Sequence, residues 1–329
     1  MKAVLSRVPG GPETLSFEEV PDPEPGVGQI RISVRAVGVN YPDVLIIQDQ
    51  YQLKPQRPFS PGAEASGVVD AIGPGVTGFS IGDRVVALSG WGAMAEKSVV
   101  PADRCLRIPD AMPFEDAAAF FLIYGTAHHA FRDRADLKAG ETLLVLGAAG
   151  GVGSAAVRLG VAMGARVIAA ASSPEKVAAA KRFGAHDGVV YTRTAMNDNA
   201  RKALTTAFKN ACGAADVIFD PIGGDYAEAA LRSIAWKGRY LVIGFTAGIP
   251  KLPLNLILLK GCDIRGVYWG QFMERERERF DADVRELFEL YRLRKIHVDI
   301  SQRFTLARAG DAIALLGKRQ VEGKIVVTV

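Results

Sequence analysis

A glycine-rich run near the middle of the chain has the spacing of a phosphate-binding loop. The run 147–153 contains four glycines, follows the continuous apolar segment 143–146 and precedes an apolar stripe at helical spacing. Glycine permits a tight turn and lets a pyrophosphate approach the backbone, while the N–H groups at a helix N-terminus meet its negative charge. This strand–loop–helix context predicts a dinucleotide-binding loop.

The residues at the end of the next predicted strand select the cofactor. An NAD site places an acid there, about 20 residues past the glycines, to accept a hydrogen bond from the ribose 2′-hydroxyl. This chain has Ser172 there and Lys176 one helical turn later, while Glu175 is an early helix residue favoured by the helix dipole. A hydroxyl and an ammonium group fit a 2′-phosphate and predict NADPH. Alternatively, Ser172 or Ser173 caps the helix and Lys176 is a solvated charge, and both interpretations can hold together.

Composition restricts the class of protein. The 329 residues predict roughly two domains, and 49% apolar residues suffice for a substantial core. A net charge of +4 does not indicate the basic surface that binding of nucleic acid requires. The longest uncharged stretch, 142–157, is too short to span a bilayer. The first residues lack a signal-peptide pattern and the three cysteines form no paired framework, so we expect a cytoplasmic enzyme or binding protein without a membrane partner.

The pattern of apolar residues, glycine and proline differs between two parts of the chain. The first ~115 residues carry short Val- and Ile-rich runs bounded by glycine and proline, which predict an irregular β domain. From Thr142 to Tyr268, six apolar strands alternate with helices, one of them predicted over 226–235, as in a doubly wound parallel sheet. The simplest α/β architecture therefore inserts a nucleotide-binding domain, 124–268, into a β domain made of 1–123 plus 269–329.

Several segments resemble the medium-chain dehydrogenase/reductase superfamily. The general resemblance lies in 61–67, 79–85 and 147–153. Similarity to its zinc-free quinone oxidoreductase (ζ-crystallin-like) group lies in 38–43, 93–96, 124–127 and 266–270. The resemblance covers essentially the whole chain. It implies a GroES-like catalytic domain around an inserted Rossmann domain, a nicotinamide between them, and a homodimer.

The resemblance also implies individual cofactor residues. It assigns the 2′-phosphoadenosine end to Ser172, Lys176, Tyr191 and Arg319, and the pyrophosphate to Gly150, Gly151 and Val152. It assigns the nicotinamide half to Thr126 and to 242–247, which includes Gly244 and Phe245, and the cleft lining to 40–45, Tyr268 and Trp269. Lys318 and Arg319 can also be interpreted as surface charges on a final turn.

The zinc ligands of related alcohol dehydrogenases are missing. Those enzymes use a cysteine after the early strand and a histidine in a Gly-His-Glu run, where this chain has Asn40 and Ala63. An amide and a methyl group cannot replace thiolate and imidazole, so no metal is predicted. Glu64 is interpreted as a buried structural partner, and His128 and His129 as ordinary helix histidines.

The absence of zinc ligands favours electrophilic acceptors. Quinones and activated alkenes accept hydride without a Lewis acid, and NADPH carries the hydride. Asn40 is the candidate hydrogen-bond donor to the developing negative charge, and Tyr41, Tyr51 or solvent the proton donor. We therefore predict NADPH-dependent reduction of quinones or α,β-unsaturated carbonyls. The alternatives are an enoyl-thioester reductase, such as one for acryloyl-CoA, and an NADPH-binding sensor or RNA-binding protein; the balanced charge argues against RNA.

Overall fold

The structure, a computed structural model, describes residues 1–193 and 196–329 and divides into two compact units. The first unit comprises Met1–Leu122 and Val298–Val329, and the second comprises Ile123–His297. The division differs from the sequence-based domain bounds by the single residue Ile123 and by residues 269–297. Both lie with the second unit, whereas the sequence assigned them to the catalytic domain.

The strands and helices are named in chain order over the described residues. The strands are β1 (Lys2–Ser6), β2 (Leu15–Glu19), β3 (Gln29–Val39), β4 (Glu64–Ile72), β5 (Arg84–Ala87), β6 (Lys97–Pro101), β7 (Cys105–Arg107), β8 (Thr142–Leu146), β9 (Arg166–Ala171), β10 (Asp187–Val190), β11 (Ala215–Asp220), β12 (Ile234–Val242), β13 (Asp263–Gly266), β14 (Ile300–Thr305) and β15 (Lys324–Thr328). The α-helices are α1 (Tyr41–Ile46), α2 (Phe114–Ala118), α3 (Phe121–His129), α4 (Gly151–Ala162), α5 (Pro174–Arg182), α6 (Asp198–Cys212), α7 (Tyr226–Leu231), α8 (Leu254–Lys260), α9 (Trp269–Arg275), α10 (Arg277–Arg292) and α11 (Ala309–Gly317).

The first unit is built on a mixed β-sheet. Its described strands run in the order β14-β15-β3-β4-β5-β7, with β6 also paired to β3 and a separate β1–β2 pair. The long strand β3 alternates apolar and polar residues before becoming fully buried near its end, and its inner face packs in the apolar core of the unit. The last strand, β15, pairs with the end of β3 from Ala36 to Val39. This confirms the irregular β domain.

The second unit is a Rossmann-type domain. Its described strands run in the order β10-β9-β8-β11-β12-β13, and every neighbouring pair is parallel. Strand β8 lies in the middle of the sheet, and Leu143–Leu146 is buried, as expected for a strand covered on both faces. Parallel strands expose their carboxyl ends at one edge of the sheet, where ligands bind in folds of this kind.

One predicted helix is too long. The sequence predicted it over 226–235, but α7 ends at Leu231 and β12 begins at Ile234. The backbone N–H and the hydroxyl of Ser233 both bond to the Ala230 carbonyl, which closes the last turn. Ile234 then pairs with Ala215 of β11. An alanine-rich run continues the apolar pattern past the helix end, so periodicity alone does not mark this boundary.

Residues 269–297 belong with the second unit because their side chains are anchored on α3 and the π-helical turn Ala130–Ala135 that follows it. His128 of α3 lies between Asp283 and Glu286 of α10, with nitrogen–oxygen distances of 3.1 and 3.3 Å. The ring of His129 stacks on Phe272 of α9 at 4.0 Å. These contacts agree with the interpretation of both histidines as structural.

None of the described helices is both long and apolar enough to cross a membrane.

Candidate functional site

In the glycine-rich turn after β8, the fold requires a glycine at position 153 but not at position 150. A Cβ on Gly153 would lie 2.1 Å from the Gly147 carbonyl oxygen, so the turn and the first turn of α4 touch through bare backbone. A Cβ on Gly150 would meet nothing nearer than that same oxygen at 3.5 Å, and its φ of −78° suits any residue. Gly150 is the N-cap of α4, and Gly151 and Val152 begin the helix. The open space at Gly150 beside a helix N-terminus fits the close approach of a pyrophosphate.

The loop after β9 resolves which serine caps the next helix. Ser173 is the N-cap of α5, and its hydroxyl oxygen accepts the Lys176 N–H at 3.3 Å. Ser172, the residue before it, is therefore not the cap, and it lies half-buried at the end of the strand. The Lys176 side chain is half-buried in the first turn of the same helix. Since β8 and β9 are adjacent and parallel, Ser172 and Lys176 lie at the same sheet edge as the glycine turn.

Tyr191 supports the glycine turn from the next strand. It directly follows β10, and its ring lies 4.6 Å from that of Tyr226. Burial raises the pKa of Tyr191, and a hydrogen bond from the Gly147 backbone opposes that rise. The Tyr191 phenol therefore packs behind the glycine turn. Residues 194 and 195, which follow closely, lie outside the described part of the chain.

A buried carboxylate shapes the loops after β11 and β12. Asp220 accepts the N–H groups of Ile222 and Gly223 at 2.8 and 2.9 Å and the Tyr240 hydroxyl at 2.5 Å. Its backbone carbonyl also accepts the N–H of Gly244, at 3.3 Å. Sequence reasoning missed Asp220, although an acid at the end of a buried strand before Pro-Ile-Gly-Gly is a detectable signal.

The residues predicted for the nicotinamide half differ in exposure. Phe245 and Tyr268 are each about half exposed, with 47% and 49% of their surface accessible. Trp269 is buried, and its indole packs so closely on α3 that a Cβ on Gly125 would lie 2.6 Å from it. Thr126 is the next residue of α3 and is half-buried. Trp269 therefore packs against α3, whereas the rings of Phe245 and Tyr268 are accessible to solvent.

In the first unit, Asn40 takes part in a buried polar cluster with Lys324. The ammonium group of Lys324, only 3% exposed, donates to the Asn40 Oδ1 at 2.6 Å and to the Val39 carbonyl at 3.0 Å. An ammonium group can only donate, which fixes the orientation of the amide. The amide nitrogen of Asn40 then donates to the Gly38 carbonyl at 3.0 Å and approaches the Glu64 Oε2 at 3.4 Å. The amide expected to point at a substrate is directed into the protein.

Two buried carboxylates complete this cluster. Asp43 accepts the N–H groups of Asn40 and Gly62 at 2.8 and 3.1 Å, which ties the start of α1 to the loop before β4. Glu64 accepts the N–H groups of Phe121 and Leu122, at 2.6 and 3.0 Å. The interpretation of Glu64 as a buried structural partner is confirmed.

Burial controls the protonation of these groups. It raises the pKa of Glu64 to about 7, against the opposing effects of the Lys324 charge and the backbone N–H donors. It raises the pKa of Asp43 to about 6, against its N–H donors and Lys324. It lowers the pKa of Lys324, and the two carboxylates oppose that change. The single cation Lys324 therefore interacts with two buried carboxyl groups. Near neutral pH the cluster favours keeping one proton on Asp43 or Glu64.

The sequence reasoning missed Asp43 and Lys324 as members of this cluster. Lys324 directly precedes the apolar residues 325–327, and a lysine in a buried strand predicts a buried acid nearby. That signal is present in the sequence, but it does not say which acid is the partner.

Tyr41 lies beside Arg319 at the surface of the first unit. The Arg319 guanidinium donates to the Tyr41 hydroxyl at 3.4 Å, and Arg319 has a φ of 55°, in the left-handed region. Tyr51 is half-buried and packs against the core of the first unit. The structure thus brings Asn40, Tyr41 and Arg319 together, and it places Ser172 and Lys176 in the other unit.

The described residues do not fit a zinc site. No group of three histidine, cysteine or acidic side chains among them is arranged to hold a metal ion. At the positions of the superfamily ligands, Asn40 is bonded to Lys324, and Ala63 has no donor atom. A resident ammonium group beside Asn40 would repel a divalent cation.

Comparison with known proteins gives matches over nearly the whole chain. The family "Alcohol dehydrogenase GroES-like domain" matches residues 26–110, and the family "Zinc-binding dehydrogenase" matches residues 151–289. The quinone oxidoreductase-like protein 2 homolog of Nematostella vectensis is 37% identical over 306 residues, which cover 92% of this chain and 82% of the relative. The quinone oxidoreductase of Pseudomonas aeruginosa is 33% identical over 321 residues, covering 97% and 96%. The crystal structure of Escherichia coli quinone oxidoreductase complexed with NADPH has a TM-score of 0.91 and 28% identity, with 100% of both chains covered.

Proposed function

This chain belongs to the quinone oxidoreductase group of the medium-chain dehydrogenase/reductase superfamily and is an NADPH-dependent oxidoreductase, and from that premise we propose that it reduces quinones or α,β-unsaturated carbonyls without a metal ion. The observation that carries the proposal is the pair Asn40 and Ala63 at the ligand positions of the zinc enzymes, with Asn40 held by a buried ammonium group. A site without a Lewis acid suits acceptors that are already electrophilic.

The proposed mechanism rests on binding and orientation. The turn 147–153 would hold the pyrophosphate at the start of α4, and Ser172 and Lys176 would hold the 2′-phosphate. NADPH supplies the hydride when bound. Phe245 and Tyr268 offer accessible rings on the second unit, and Tyr41 and Tyr51 are the side chains of the first unit that we propose to face the acceptor. Asn40 is the N-cap of the helix that begins at Tyr41, and Tyr41 or water would donate the proton that completes the reduced product.

The test of this function compares two reaction classes. We expect the purified protein to consume NADPH anaerobically with ortho- or para-quinones and conjugated enones, and to oxidise simple alcohols with NADP at a negligible rate. Added chelator should leave the rate unchanged, because the ligand positions of the zinc enzymes hold Asn40 and Ala63 here. Faster oxidation of ethanol or benzyl alcohol than reduction of any quinone, enone or enoyl thioester would show the proposal to be wrong. An enoyl-thioester preference would identify the alternative acceptor class.

The cofactor contacts predict a clear preference. We expect NADPH to bind at least about tenfold more tightly than NADH, or about 1.4 kcal/mol, the size of one charge-assisted contact. Lys176→Ala should remove most of this difference by weakening NADPH and leaving NADH unchanged, as measured by fluorescence titration. Lys181→Ala is the matched control, because Lys181 lies on the same helix and pairs with Asp187 at 3.0 Å. Equal dissociation constants of the wild type for the two cofactors would refute the assignment.

We also propose that the protein forms a homodimer through the second unit. Strand β13 is an edge of the described sheet, and the helix before it exposes large apolar side chains, with Leu258 80% accessible. Trp236, 69% accessible, lies beside Gly261 at the end of the same helix. A two-fold copy that placed one β13 against the other would cover this apolar surface and pair the free edge.

Light scattering coupled to gel filtration tests the dimer. The wild type should have twice the mass of one chain at micromolar concentration, and Leu258→Glu should shift it toward the monomer. Ile81→Glu, at a residue 70% accessible in the first unit, should leave the mass unchanged. A monomeric wild type would contradict the proposal.

A further inference from the structure

The C-terminal segment of the chain contacts the start of α1 at two successive residues. Lys324 bonds to the Val39 carbonyl and the Asn40 side chain from the buried side. Arg319 bonds to the Tyr41 hydroxyl from the exposed side. Residues 39–41 are the point where β3 ends and α1 begins, and both contacts come from residues about 280 positions later in the sequence. The conformation of this turn therefore depends on side chains outside its own local sequence.

The hydrogen bonds of Lys324 fix the direction of the turn. The Val39 carbonyl is the last of β3, and Asn40 is the N-cap of α1, so the ammonium group bonds to both sides of the bend. With its oxygen held by Lys324, the Asn40 amide directs its protons to Gly38 and Glu64. Asp43 closes the same turn by accepting the Asn40 N–H. Every polar group of Asn40 named here is occupied, and the next side chain along the chain is Tyr41.

We propose that Lys324 is a positioning residue for the acceptor site, which holds the Asn40–Tyr41 turn in the orientation required for reduction. The inference rests on the proposed function, since Tyr41 is placed there beside the acceptor. Lys324 itself is buried and does not touch substrate. Its role differs from general stabilisation because its hydrogen bonds end on the turn that carries Tyr41.

Lys324→Met tests the proposal, because it removes the ammonium group and keeps an unbranched stem. We expect kcat/KM for the quinone or enone to fall at least about tenfold, the usual size of a lost charge-assisted contact, while the Kd for NADPH stays within about twofold. Lys324→Arg should recover part of the rate, since it restores a cation. Hydrogen–deuterium exchange should be faster in residues 40–46 of the Met variant and unchanged in residues 29–35 of β3.

Two further variants keep the test decisive. If Lys324→Met alone folds poorly, Lys324→Met combined with Glu64→Gln removes one buried charge of each sign, and its folded fraction should still show the low rate and the faster exchange. Lys318→Met makes the same change on an exposed lysine of the same segment and should alter neither readout. Wild-type exchange over 40–46 in the folded Met variant, or wild-type kcat/KM, would overturn the proposal. If the wild type reduces no acceptor, the proposed function fails, and exchange over 40–46 still decides the role of Lys324.

Discussion

Gly153→Ala is expected to destabilise the second unit strongly. The new Cβ would lie 2.1 Å from the Gly147 carbonyl oxygen and 2.8 Å from its carbonyl carbon. Both atoms belong to the backbone of the turn that ends β8, so neither can move like the end of a flexible side chain. We expect the free energy of unfolding to fall by at least about 3 kcal/mol, the upper range for overpacking a rigid site. Thermal and urea denaturation measure this loss.

Gly150 provides the matched comparison in the same turn. Gly150→Ala should fold with a loss within about 1 kcal/mol, because the nearest atom to its Cβ is 3.5 Å away. Gly150→Val should also fold, but its NADPH Kd should rise at least about tenfold since the side chain fills the space a pyrophosphate needs. If Gly153→Ala were as stable as Gly150→Ala, the close packing of the turn on α4 would be disproved. Wild-type NADPH affinity in Gly150→Val would place the pyrophosphate elsewhere.

Removing the buried charge of Glu64 should change how stability depends on pH. The pKa of this carboxyl is raised from 4.5 to about 7 by burial, so between these values the folded state holds a proton that the unfolded state releases. This contribution to stability is complete below about pH 4.5 and is lost as pH rises through about 7, and it amounts to roughly 3 kcal/mol. Asp43, raised to about 6, acts with the same sign. Glu64→Gln should therefore lose less stability than the wild type between pH 5 and 8 in urea titrations.

The control for the pH-dependent urea titrations is an acidic residue that is not buried. Glu19 is exposed at the end of β2 in the same unit, and Glu19→Gln should follow the wild-type pH profile. Glu64→Gln keeps an oxygen that can accept the Phe121 and Leu122 N–H groups, so the change is mainly one of charge. Parallel pH profiles for the wild type and Glu64→Gln would contradict the prediction.

The sequence predicted the second unit well because its signals are local. The continuous apolar run 143–146, the glycine turn and the strand–helix alternation each lie within a few residues, and the structure has β8, α4 and the parallel sheet there. The expectation that Ser172 or Ser173 caps the next helix likewise rested on adjacent residues, and Ser173 is the N-cap of α5. Where the local signal was ambiguous, as at Ser233, the predicted helix continued too far.

The buried cluster of the first unit was only partly predictable, because its contacts are distant in sequence. Glu64 was expected to be buried, but Lys324 reaches Asn40 across 284 positions. The amide of Asn40 can donate either to a substrate or to its own protein, and only the position of Lys324 decides between these. The assignment of residues 269–297 failed to match the compact units for a similar reason, since it depends on His128 and His129 meeting helices formed much later in the chain.

The placement of β15 has a consequence for how the protein is made. Along the sequence, β3, Asp43 and Glu64 come before Ile123–His297, and Lys324 and β15 come after it. During synthesis the contiguous second unit can therefore fold first. The first unit keeps an open edge at Ala36–Val39, and its two buried acids lack their cation, until β15 has been made. Folding of the first unit can therefore be completed only after the whole second unit has been synthesised, when Lys324 and β15 are added.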